Sequence, residues 1–175
     1  MERIAKFEKV SFEQYRDSVQ KIDAQRSESE IRAMYEAIRL PKRATEGSAG
    51  YDFYAPERVT LSPGSQILVP TGIRARIEPG YVLMLFPRSG LGFKYRLQLN
   101  NTAGVIDSDY YNADNEGHIF CKLTNDTRDG KTVVIEAGDG LVQGIFMPFG
   151  ITEDDDAHAQ RTGGFGSTTG KRYKL

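Results

Sequence analysis

The chain of 175 residues has one cysteine, two histidines and a formal net charge of only −1. The lone Cys121 has no partner in the chain for a disulfide, which fits a reducing compartment. A charge this close to zero provides no basic field to recruit nucleic acid. No apolar run approaches the roughly 20 residues of a membrane span. The opening Met1-Glu-Arg-Ile-Ala-Lys-Phe-Glu-Lys is too charged for a signal peptide. A cytoplasmic protein with neither a nucleic-acid nor a membrane partner is therefore expected. His118 stands alone, and no Cys/His spacing has the pattern of a zinc site. Glu153 to Asp156, near His158, reads as a solvated acidic loop, because consecutive like charges repel and rarely converge on one ion. There is no internal repeat and no linker that would split the chain, so the length fits about one domain with a real core.

What is present falls into two textures. Ile4 to Val10 reads as a short strand. Residues 12–39 read as a pair of helices docked on the main body: Phe12, Tyr15, Val19 and Ile22 share one face, and Ile31, Met34, Tyr35 and Ile38 another. Ser27 and Glu30 form a capping-box pattern, and Pro41 ends the second helix. From Lys42 onward, short apolar runs alternate with Gly, Pro, Asp and Asn. Strands are expected over 66–70, 72–77, 81–86, 96–99, 117–123 and 132–136, with turns at Ser62-Pro-Gly64 and Glu78-Pro-Gly80. Leu141 to Phe149 is the last apolar run. Many short strands argue for a mainly β sandwich, jelly roll or small barrel. The division expected is one β-rich domain over 1–160, with 12–39 as a helical insertion, and a glycine-rich tail over 161–175 that cannot build a core of its own.

Five stretches look like sites. Asn101 to Asn112 runs from polar residues through Val105 and Ile106 into Asp107, Asp109, Tyr110 and Tyr111. A site that handles a sugar and activates a water wants a carboxylate beside an aromatic platform. Ser48-Ala-Gly-Tyr-Asp52 places a carboxylate after a glycine turn. Pro87-Arg-Ser-Gly-Leu-Gly92 combines a guanidinium, a hydroxyl and glycine-opened backbone N–H groups, as phosphate oxygens require. Gly138-Asp-Gly-Leu-Val-Gln143 is a turn with a strand behind it. Arg161-Thr-Gly-Gly-Phe-Gly-Ser-Thr-Thr169 is a second phosphate-type loop with one aromatic in its middle. Each has a plainer reading: a hairpin turn for Asp52 or Asp139, a surface ion pair for Arg88, a flexible end for the tail.

Taken together, these stretches resemble the trimeric deoxyuridine triphosphatases. That family has A-G-x-D, P-R-S-G-L, G-V-I-D-x-D-Y, G-D-x-x-x-Q and G-G-F-G-S-T in this order. Here they are Ala49–Asp52, Pro87–Leu91, Gly104–Tyr110, Gly138–Gln143 and Gly163–Thr168. The departures are Gly140 where Arg is usual, Gly92 where Ala is common, and a tail one residue shorter before its glycines. The helical insertion and longer connections after the third and fourth motifs are further departures. The resemblance implies a distorted jelly-roll-like β-barrel, a homotrimer, and Mg²⁺-dependent hydrolysis of dUTP to dUMP and pyrophosphate.

It also implies residue roles. Asp107 is the general base and holds the sugar 3′-OH, while Tyr110 packs under the ring where a ribose 2′-OH would clash. Asn101 and the backbone of Gly104, Val105 and Ile106 read uracil. Arg88, Ser89, Gly90 and Gln143 hold phosphate oxygens, and Asp52 meets Mg²⁺ through its waters. Phe165 stacks on the base, while Arg161, Gly166, Ser167 and Thr168 close over the triphosphate. One chain is expected to supply Asp52, Arg88 and Gln143, a second Asp107 and Tyr110, and a third the tail. A deaminase acting on dCTP on a shared fold is the nearest alternative, but it needs a glutamate where Cys121-Lys-Leu-Thr-Asn125 has Lys122. A non-catalytic dUTP-binding module is the other.

Overall fold

The computed structural model describes residues 2–159, 161 and 163. The elements run β1 (Ala5–Lys9), α1 (Phe12–Ile22), α2 (Glu28–Ala37), β2 (Lys42–Arg43), β3 (Tyr51–Tyr54), β4 (Val59–Leu61), β5 (Gln66–Pro70), β6 (Ile73–Ile77), β7 (Tyr81–Pro87) and α3 (Ser89–Tyr95). They continue with β8 (Leu97–Leu99), β9 (Gly104–Ile106), a 3-10 turn (Ser108–Asn112), β10 (Phe120–Asn125), β11 (Val133–Ile135) and β12 (Gly140–Pro148). The mainly β expectation holds. The strands form four antiparallel sheets, ordered β1-β6, β5-β10-β8, β11-β4 and β2-β3-β12-β7-β9. Among the described residues, no helix is long and apolar enough to cross a membrane.

The sheets share one apolar core. On β7, Leu83 and Leu85 are buried while Val82 and Met84 are not, the period of two that a half-buried strand requires. Tyr15, Phe53, Ile31, Leu97, Ile119, Leu123 and Leu141 are among its other large members. Short strands suffice because each side chain buried here contributes about 1.5–3 kcal/mol.

The two expected helices are present. Ser11 caps α1 by accepting from the Gln14 N–H, and Ser27 and Glu30 form the full capping box at α2. Tyr15, Ser18 and Val19 make the buried face of α1, and Ile31 that of α2. The spacing i, i+3, i+4 puts the α1 trio on one stripe. Arg26 bonds Glu57 at 2.9 Å and Tyr35 Oη donates to the Val10 carbonyl at 2.6 Å, so the hairpin is tied to the body at both ends.

Several expectations shift. Arg96 takes a left-handed conformation that stops α3, so β8 begins at Leu97. Gly117 (φ +69) lies in a turn with Glu116 (φ 57), so β10 begins only at Phe120. Asp52 lies inside β3, in register with Gln143 of β12, and not in a glycine turn. Pro87–Gly92 is not an open loop. It leads into α3, whose Gly92 N–H bonds the Arg88 carbonyl at 2.9 Å.

His118 is fully buried between α1 and the barrel. Its Nε2 accepts from the Gly72 N–H at 2.8 Å, and its Nδ1 lies 3.0 Å from Ser18 Oγ. An amide N–H can only donate, so Nε2 is the bare nitrogen and Nδ1–H donates to Ser18. Burial lowers its pKa from 6.5 to about 3. The unfolded chain therefore binds a proton that the folded chain refuses. Stability from this group is complete above about pH 6.5 and is lost as pH falls toward 3, at about 1.4 kcal/mol per pH unit. Thermal melts at pH 7.5 and 5.5 are expected to show a larger acid loss in wild type than in His118→Gln, which removes the titrating group. Equal losses would contradict this role.

Candidate active site

The five-stranded sheet carries four of the five motifs. β12 lies at its centre, with Gln143 opposite Asp52 of β3 on one side and opposite Phe86 of β7 on the other. That pairing assembles the first cluster. Arg88, just past β7, bonds Asp52 through Nε at 3.0 Å and the Gly140 carbonyl through Nη1 at 3.2 Å. Gln143 Nε2 donates to the Pro87 carbonyl at 3.0 Å. Ser89 and Gly90 form the exposed first turn of α3. Helix geometry leaves the amides of Ser89, Gly90 and Leu91 without an intrahelical acceptor. Cationic and N–H donors thus converge here around one carboxylate.

The second cluster lies on β9. Gly104, Val105 and Ile106 pair with Leu85, Met84 and Leu83. They line a cavity of about 280 Å³ together with Asn101, Asp107, Tyr110, Phe120 and Arg161. Gly104 is buried and packs its Cα over Leu85, so the strand backbone itself forms part of the wall. Tyr110 is 6% exposed; its Oη donates to the His118 carbonyl at 2.7 Å and accepts from Asn115 Nδ2 at 2.7 Å. Burial raises its pKa, so at neutral pH it is a fixed, uncharged platform. Arg161 bonds Asp107 through Nη2 at 2.5 Å and Asp109 through Nε at 2.8 Å.

Of the residues singled out in the sequence, Asn101, Gly104, Val105, Ile106, Asp107, Tyr110 and Arg161 come together at the cavity. Asp52, Arg88, Ser89, Gly90 and Gln143 do not line it. Arg161 rests on carboxylates of its own chain. Phe165, Gly166, Ser167 and Thr168 lie outside the described residues. Sequence reasoning missed Asn115 and His118, the partners of Tyr110; nothing local marks them. Cys121 is no nucleophile, since complete burial pushes its thiol up to about 12.

The two clusters stand apart. Extended one residue past the Leu83–Ile106 pair, the β7–β9 register carries Asp107 toward Val82, six residues before Arg88. Strand rise makes that separation roughly 20 Å along the sheet.

Gly140 shapes the first cluster. A methyl group at this position would overlap the Arg88 guanidinium. Gly140→Ala is expected to push Arg88 off Asp52 while shifting the melting temperature by only a few degrees, because the displaced group is the flexible end of a side chain. A crystal structure of the variant with the Arg88–Asp52 pair intact would contradict this.

The dUTPase family model matches residues 36–169. The deoxyuridine 5′-triphosphate nucleotidohydrolase of Lactococcus lactis subsp. lactis (strain IL1403) is 50% identical over 134 residues, covering 75% of this chain and 88% of the relative. The crystal structure of dUTPase from Streptococcus mutans superposes with a TM-score of 0.61 at 41% identity, covering 84% of this chain and 98% of that one. A mutant dUTPase from phage phi11 of S. aureus, which coordinates a structural Mg(II) ion, superposes with a TM-score of 0.58 at 25% identity, covering 73% and 94%. With four of its five family motifs carried on this sheet and its sequence matched along three quarters of its length, the chain belongs to the dUTPase family.

Proposed function

We propose that the protein hydrolyses dUTP to dUMP and pyrophosphate. The observation that carries this reading is the cavity walled by β9, whose lining also brings together Asn101, Asp107 and Tyr110. Backbone N–H and C=O groups at 104–106 match the acceptor–donor–acceptor edge of uracil. Cytosine reverses two of those groups and would leave buried partners unpaired, a large discrimination. Tyr110 is the platform for the deoxyribose. Asp107 takes the proton of a water that attacks the α-phosphorus in line as pyrophosphate leaves.

Arg88, Ser89, Gly90 and Gln143 supply the donors for the β-phosphate region. A general base must lie within hydrogen-bond reach of its water. A span of roughly 20 Å between Asp107 and Arg88 is too long for one triphosphate. That span supports a homotrimer whose sites combine Arg88 of one chain with Asp107 of another, with the tail from Arg161 closing over them. The reading treats 1–160 as one domain and 161–175 as the closing tail.

The donor set fits Mg²⁺ delivered with its substrate. Among the described residues no group of three or more His, Cys, Asp or Glu side chains could hold a metal alone. Mg²⁺ usually keeps several waters and is held by one or two carboxylates plus substrate phosphates. Asp52 is the carboxylate that would meet those waters. When bound, the ion neutralises charge on the phosphate oxygens.

Deamination of dCTP is disfavoured by Lys122, which is exposed on β10 and does not line the cavity.

Two outcomes test the assignment. Asp107→Asn keeps shape but loses basicity, so turnover of dUTP is expected to fall on the order of 100- to 10,000-fold with the melting temperature nearly unchanged. Near-normal pyrophosphate release would remove Asp107 as the base. Inactive Arg88→Ala and Asp107→Asn chains, refolded together in equal amounts, are expected to regain activity in about a quarter of sites of random trimers. A mixture as inactive as its parents, with mixed trimers confirmed by native mass spectrometry, would place both residues on the same chain.

A further inference from the structure

The family match begins at residue 36, so β1, α1 and most of α2 lie outside it. Yet this outlying segment grips the stretch that carries Asp107 and Tyr110. Three contacts do so. Ser11 N–H and Oγ donate to the two carboxylate oxygens of Glu116, at 2.7 and 2.6 Å. Ser18 Oγ, buried on α1, accepts from His118 Nδ1 and donates onward to the Gln14 carbonyl at 2.8 Å. Tyr111 Oη donates to Glu8 of β1 at 2.5 Å, beneath the Arg74 guanidinium, which lies 3.6 Å from the ring centre.

The gripped stretch is irregular; its other restraints are the burial of Tyr110 and Ala113, the bonds of Tyr110 to His118 and Asn115, the Gly72 N–H on His118 and the Arg161 pairs. It contains a five-residue 3-10 turn and then the Glu116–Gly117 turn, both of whose residues have positive φ. A non-glycine residue in that region needs surrounding contacts to hold it. Glu116 has them through Ser11 and, at 3.7 Å, Arg74. From there the path to the cavity is short. The His118 carbonyl accepts the Tyr110 hydroxyl, and the His118 ring packs 4.3 Å from that of Phe120, which lines the cavity.

We propose that Ser11, Ser18 and His118 are positioning residues of the dUTP site, through which the N-terminal helical hairpin holds Tyr110 and Asp107 in their working geometry. The proposal rests on the dUTPase reading above. The hairpin is then part of the site's supporting frame and not an appendage to the barrel.

The test exploits two helix caps. Ser11→Ala and Ser27→Ala each remove an N-cap, with a similar loss of helix stability. Only Ser11 touches the Asp107–His118 stretch. Kinetics on dUTP and UTP are measured at a temperature where every variant is folded. Ser11→Ala and Ser18→Ala are expected to lower kcat/KM for dUTP on the order of 10-fold and to compress the dUTP/UTP preference, because small misplacements of a reacting pair are costly. Ser27→Ala is expected to leave both unchanged, and Ser11→Thr, which keeps the hydroxyl, to restore wild-type values. Equal kinetics for Ser11→Ala and Ser27→Ala would overturn the proposal.

A second readout needs no substrate. Amide exchange at Tyr110 and Ala113 is expected to quicken in Ser11→Ala and Ser18→Ala but not in Ser27→Ala. If the wild type releases no pyrophosphate from dUTP, the proposed function fails. The exchange rates then decide alone whether the hairpin holds the stretch, and unchanged rates would overturn that too.

Discussion

The antiparallel register of β7 against β9 is the constraint on which the rest of the site depends. It sets Gly104 opposite Leu85 and so sends the chain after Ile106 back toward the start of β7. Arg88 follows the other end of the same strand. One sheet therefore carries both the carboxylate that would activate water and the guanidinium that would hold phosphate, facing different ends. Slipping the pairing by one residue would exchange the inward and outward faces of β9 and turn buried Gly104 away from Leu85. Core packing and site geometry are thus fixed by the same hydrogen-bond ladder.

Legibility in the sequence follows how local the determining physics is. The caps at Ser27 and Glu30, the α1 stripe of Tyr15 and Val19, and the short apolar run of Tyr81 to Phe86 all depend on neighbours a few residues away, and all are readable in the sequence. β3 is not. Tyr51–Tyr54 is four residues long, and Asp52 after a glycine looks like a turn; pairing with β12, some ninety positions later, makes it a strand. α3 was hidden for a related reason. Gly90 and Gly92 each disfavour a helix by about 1 kcal/mol, and packing of Leu91 and Tyr95 against the core overrides them.

The site divides along the same line. Asp107, Tyr110 and Asn101 lie within ten residues of one another, so motif chemistry found them. Their separation from Arg88 was invisible, because it depends on register. His118 stands alone in the sequence because Ser18 is 100 positions away and Gly72 is 46. Its value to the structure comes from having one bare and one protonated nitrogen, in a place where only donors meet the first and an acceptor meets the second. Charging the ring would turn the Gly72 amide from a partner into a repelled donor. The buried ring therefore serves as a neutral two-sided connector.

Both acidic groups assigned to the reaction have a guanidinium partner in the single chain: Asp52 with Arg88, and Asp107 with Arg161. Asp107 remains 45% exposed and Arg88 40%, so neither pair is sealed from water. Pairs of this kind contribute at most about 1 kcal/mol. A triphosphate offers the same arginines several oxygens in the bidentate geometry they favour. On the proposed reading, substrate competes for both guanidinium groups against weak partners. Drawing Arg161 toward phosphate would also release the Asp107 carboxylate to accept a proton. Weak pairs at these positions hold the side chains near their working places without making them costly to recruit.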